Sequence, residues 1–428
     1  MAAFNEVDTL NGLYKDRYAD AVKQAVPDHV KLYNAVKFDN AKKLGGSYVE
    51  PVILSLESGF TYGGSDGDLF DLNDANRFKM VRASVQASEL VLRSAISIGA
   101  LNRATSEGQS IDKAMKLMVG NMLASIYHRL EVQMFYGQSG LASVKTLNQE
   151  VGATKTLEIN DAEWAAGIWN GTVGAEIEIF DAAVATKSIS DAIKVKEYSL
   201  SDRTVVIEKV SGGSFATPAD DVAVDDAIYF NGAATTSSKN EFLGIHGISQ
   251  ETTSLFGVAN AGEPLFQGSI VDVGTSTTSV VLTQAKIEEG IASMVEKGLM
   301  QEEVSCYVNP RQWDDLLTEQ DAKRVIDSSY STSKHQSGAR ELEFFGQNGT
   351  IKIKASTFVK EGYAYIVCEK ELKRIGSTEV TFDRPDGGKF AKLLEGKHGI
   401  EMRCMSDEAL FTSRPSSICQ LRYIKARV

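Results

Sequence analysis

The chain has 428 residues, 43% of them hydrophobic and 24% charged, and a formal net charge of −12. That length exceeds one compact core, so two or three folding units are expected. No apolar run approaches the roughly 18–20 residues of a membrane-spanning helix, and the polar start MAAFNEVDTLNGLYKDRYAD has no signal-peptide core.

The charge is unevenly spread: residues 150–250 hold 7 Lys/Arg against 16 Asp/Glu, leaving 38 against 41 elsewhere. No basic stripe tracks a phosphate backbone, which argues against sequence-specific nucleic-acid recognition. Cys306, Cys368, Cys404 and Cys419 stand far apart without CxxC spacing, and the five histidines are scattered. Free thiols in a reducing cytoplasm are expected, with no histidine-built metal site and no cofactor.

Residues 1–43 mix charges with spaced apolar residues such as Tyr18, Val22, Leu32, Tyr33 and Val36. Short helices broken near Pro27 fit this pattern. Residues 44–88 then form two extended arms around a glycine-rich tip. Val52, Leu54 and Leu56 share one face on the way out; Val81, Ala83 and Val85 share one on the way back. At the tip, Gly59, Gly63, Gly64 and Gly67 sit among Ser65, Asp66 and Asp68, a turn-favouring composition. A lone two-stranded ribbon is marginal in water. Something must bury it.

The strongest helix signal covers residues 110–137, where Ile111, Met115, Met118, Met122, Ile126, Leu130 and Met134 recur every three or four positions. Ser110 suits an N-cap, and Gly137 sits where a C′ glycine belongs. From 146 to 250 the period changes to two. KTLEIN, GAEIEIFD, AIKVKEYSL, RTVVIEKVS and DAIYFNG are strands of a small barrel or sandwich. This acidic segment is expected to face solvent as a separate small β-domain.

Helical spacing returns over 283–299 through Ile287, Ile291 and Val295. SCYVNPRQWDDLLTEQDAKRVID then predicts a strand, an Asn309-Pro310 turn and a helix. Residues 349–368 read as paired strands around Lys360-Glu361-Gly362, and the C-terminal stretch from Gly399 is strand-rich. The irregular mixture indicates α+β organisation rather than a doubly wound sheet.

Chemistry-bearing motifs are sparse. Gly63-Gly64-Ser65-Asp66-Gly67 matches G-x-S-x-G literally, but a nucleophile elbow needs a buried strand before it and a helix after it. Asp220, Asp221, Asp225 and Asp226 lack the spacing and glycine of an EF-hand loop, so they read as a solvated loop. Trp164, Trp169 and Trp313 read as packing anchors, and the methionines as core filling. No catalytic residue, cofactor-binding residue or metal ligand is expected.

The order of parts, with EWAAGIWNGTVGAEIEIFD (163–181), YVNPRQWDDLL (307–317), GTIKIKASTFVKEGYAYIV (349–367) and RIGSTEVTF (374–382), resembles major capsid proteins of tailed bacteriophages. Their fold is shared with herpesvirus capsid floors and encapsulins. The resemblance implies an N-terminal arm (1–44), an extended loop (45–88), and a peripheral domain with a long spine helix (89–145). It further implies a β-rich inserted domain (146–250), an axial domain (251–364) and a return to the peripheral domain (365–428).

The function so implied is structural, not enzymatic: a virion subunit, assembled in the host bacterial cytoplasm, whose hexamers and pentamers enclose double-stranded DNA contacted non-specifically. Implied partners are further copies, a separate scaffolding protein, a portal protein and a decoration protein, with no membrane. On this reading a neighbouring subunit buries the ribbon. Some relatives crosslink a loop lysine to an asparagine; Lys79, the only lysine between 46 and 88, lies away from the tip, so no crosslink is expected. An encapsulin-like compartment and a two-domain hydrolase using Ser65 or an acidic pair are the rival readings.

Overall fold

The computed structural model describes residues 30–40, 46–99, 110–151, 153–215, 222–299, 302–324, 342–346, 349–383, 391–394 and 397–426. The helices expected around Pro27, the side chains of Ile111 and Met115, and Asp220 and Asp221 lie outside the described residues.

The long helix runs from Ser110 to Tyr136, about 40 Å at 1.5 Å per residue. Met122, Ile126, Leu130 and Met134 are buried along its predicted stripe, and Met118 is half-buried. From Leu130 to Gly137 every residue is buried, because sheet, barrel and N-terminal segment surround this end. Gly137 is required for close approach rather than for a left-handed cap. A Cβ there would lie 2.1 Å from the Phe242 carbonyl oxygen, and the residue with positive φ is Gln138 (65°).

One sheet has five strands. Its long strand Gly399–Thr412 pairs along one edge with Ser88–Ser97. Along the other it pairs with Leu372–Phe382 and then Ala391–Leu393. Phe38–Asn40 joins in parallel beside Arg374. The strand Ser88–Ser97 was not anticipated from the sequence, although its half-buried residues alternate with exposed ones along its whole length.

The acidic segment forms a closed six-stranded barrel from Ala142–Val151, Thr154–Ile159, Glu176–Phe180, Ile193–Ser199, Thr204–Lys209 and Ala227–Phe230. Leu157, Ile159, Ile177, Ile193, Val205 and Ile207 are buried, and closure removes the strand edges. The barrel is not a separate unit, contrary to expectation. Its interior belongs to the same continuous core as Ile126, Leu130 and Phe411. Trp164 and Trp169, stacked at 6.2 Å, lie in the connection that docks onto the 357–362 turn. Gly167 N–H donates to Thr357 O (2.8 Å) and Glu361 N–H to Trp164 O (2.9 Å).

A six-stranded sheet runs in the order Ser269–Asp272, Ile418–Arg422, Tyr363–Val367, Val304–Val308, Gly349–Ala355, Leu342–Gly346. With helix Gln284–Glu296 and helix Pro310–Arg324 it encloses a second core around Ile287, Ile291, Met294 and Leu316. The expected pairing of Gly349–Ala355 with Tyr363–Val367 is wrong. Val304–Val308 lies between them, parallel to the first and antiparallel to the second. All five of its residues are buried, so its apolar run takes the centre, and Lys360-Glu361-Gly362 turns over it rather than closing a hairpin. The last strand, Ile418–Arg422, lies in this sheet and not with the five-stranded one.

The N-terminal segment is held by buried polar groups. Glu131, on the helix, accepts from the backbone N–H groups of Lys31 (3.0 Å), Leu32 (2.9 Å) and Tyr33 (2.7 Å). Arg374 donates to Val36 O (3.0 Å) and Glu408 (2.9 Å), while Tyr33 OH donates to the other oxygen of Glu408 (3.0 Å). Burial pushes the Glu131 carboxyl up to about 7 against the pull of those donors. A raised folded-state pKa stabilises at acid pH and is lost as pH rises through that value. Thermal stability of the wild type should therefore fall from pH 6 to pH 8 relative to Glu131→Gln, and parallel pH profiles of the two would refute this. Glu131→Ala leaves two buried donors, the Leu32 and Tyr33 N–H groups, unpaired, each costing about 1–3 kcal/mol. Limited proteolysis should then cut the 30–40 segment first.

Candidate assembly surfaces

The ribbon pairs Tyr48–Ser55 with Lys79–Val85, Tyr48 opposite Val85 and Ile53 opposite Met80, with a bulge before Ser55. One face of its base is covered within the chain. Ala83 is fully covered and Leu54 nearly so, Tyr48 packs edge-on against Phe411 (5.5 Å), and Ser84 N–H donates to Phe256 O (2.7 Å). Lys79 pairs with Glu263, and Lys373 with Glu50 at 3.5 Å. One face of the base thus has cover from the chain's own body, while Val49 (49%), Ile53 (58%) and Met80 (56%) on the other face stay exposed.

The tip is different. Leu56 (84%), Tyr62 (91%), Leu69 (105%) and Leu72 (80%) are exposed almost as in an extended peptide, and Phe60, Phe70 and Phe78 are also exposed. Its two arms are held by side chains instead of a ladder. Asn73 donates its N–H to Thr61 Oγ1 (2.8 Å) and its Nδ2 to Phe60 O (2.9 Å), and Asn76 Nδ2 donates to Ser58 Oγ (2.8 Å). The Phe70 ring packs over Gly63, where a Cβ would lie 2.4 Å from it. Exposed large apolar side chains gathered in this way make the tip a candidate interaction surface. The glycine content was legible in the sequence. The apolar row was written there too, but only the structure, in which no described residue covers it, makes it a surface.

The remaining candidates are structural. Ser65 is exposed on the tip, and its Oγ donates to Asp66 (3.3 Å), with neither strand before it nor helix after it. Asp226 is buried and accepts from Ser188 Oγ (2.6 Å) and Ala223 N–H (2.9 Å), so it ties a turn. Trp164 and Trp169 are core, and Trp313 packs at the edge of the second core. All four cysteines are buried and free, with burial pushing their thiols up. Burial holds His246 down to about 3, neutral beside Tyr365 OH at 2.8 Å. Among the described residues no group of three or more His, Cys, Asp or Glu is placed to hold a metal ion.

Sequence reasoning missed an ionic hub at the Lys360-Glu361-Gly362 turn. Arg203, from the barrel, donates to Glu361 (2.7 Å) and Asp161 (3.0 Å), and Arg311 reaches the other Glu361 oxygen at 3.2 Å. Lys360 N–H donates to Tyr136 OH (2.8 Å) at the helix end. Three units meet on one turn. No sequence pattern marks it, because its bonded members are up to 224 residues apart.

No protein-family model matches this chain, and no curated protein matches it. Among solved structures, the cyanophage A-1(L) capsid asymmetric unit matches with a TM-score of 0.59 at 8% identity, covering 98% of this chain and 99% of that one. The capsid of a native GTA particle matches with a TM-score of 0.50 at 8% identity, covering 99% and 100%. The chain has the tailed-phage major capsid fold over nearly its whole length.

Proposed function

We propose that this chain, which shares its fold with phage capsid subunits, is itself a major capsid subunit that assembles into a closed icosahedral shell around double-stranded DNA. The observation that carries this is the ribbon tip. Its apolar row is pre-shaped by its own hydrogen bonds and uncovered by any described residue, which suits a second copy as its partner. Symmetric repetition of one such contact turns modest pairwise affinity into high collective stability.

The subdivision set out from the resemblance belongs to this proposal, with the barrel outward, where its acidity keeps particles apart. So do a separate scaffolding protein, portal and decoration partners, assembly in the host cytoplasm, and the absence of catalysis.

The test is Leu69→Asp combined with Leu72→Asp. Both side chains are exposed, so the folded subunit should melt as the wild type does. Particle formation, with scaffold if required, should be lost in negative-stain micrographs. Wild-type particle yield from the double variant would remove the tip from the interface. Nuclease-protected DNA in wild-type particles is expected, and a protein cargo in its place would favour a compartment.

A further inference from the structure

We draw no further inference here: the strongest candidate, the basic patch of Arg93, Arg403 and Lys392 around Glu401 on the exposed face of the five-stranded sheet, has both guanidinium groups engaged by the Glu401 carboxylate, and nothing in the structure shows what covers it.

Discussion

Replacing Ile126 by aspartate is expected to leave no soluble, folded chain. Ile126 is 1% exposed at the middle of the buried stripe of the long helix, in a core shared with the barrel and the five-stranded sheet. The substitution removes a core side chain, worth about 2–5 kcal/mol when truncated. It also places a carboxyl group inside an apolar core cluster, a further cost on the order of several kcal/mol. Against a typical total stability of about 5–15 kcal/mol, that sum abolishes the native state. Ile126→Val, costing about 1 kcal/mol, should remain soluble and melt only a few degrees lower. Soluble yield and circular-dichroism melting decide the matter. Wild-type melting of Ile126→Asp would mean that this face of the helix is not packed.

Excising residues 182–240 and rejoining the ends with a short linker is the second change with a large effect. Loop closure costs little and grows slowly with length, so chain entropy does not forbid the cut. Packing does. The excision takes Ile193–Ser199, Thr204–Lys209 and Ala227–Phe230, three of the six barrel strands. Leu157, Ile159 and Ile177, all buried in the intact chain, then face water. Arg203 is lost, leaving Glu361, at 4% side-chain exposure, with Arg311 at 3.2 Å. Removing one partner from a buried ion pair costs about 3–5 kcal/mol. Phe230 goes too, and with it the ring under Arg129. The expected product is insoluble. Arg203→Met alone should fold with a reduced melting temperature. A soluble excision product with one cooperative transition would show that the barrel adds nothing to the main core.

What the sequence determined by itself is whatever depends on near neighbours along the chain. The long helix follows from Met122, Ile126, Leu130 and Met134 at spacings of three and four. The barrel strands follow from period-two alternation, as in EIEIF and TVVIEK. The ribbon follows from two alternating arms around four glycines. Those patterns, with the quoted stretches that resemble capsid proteins, were enough to reach the α+β capsid fold. Only the tertiary structure decided how these elements share surfaces. Val304–Val308 separates two strands that look like a hairpin, because a run with Val304, Cys306, Tyr307 and Val308 is most stable buried at the centre of a sheet. The barrel merges with the helix core rather than standing apart, because Arg203 and Trp164 meet the 360–362 turn from far along the chain. Glu131, unremarkable inside a helical repeat, caps three backbone donors about a hundred residues away. The ribbon's apolar residues divide into a base covered on one face, at Leu54 and Ala83, and a bare tip for the same reason: burial is a relation between distant segments, and the local pattern carries only half of it.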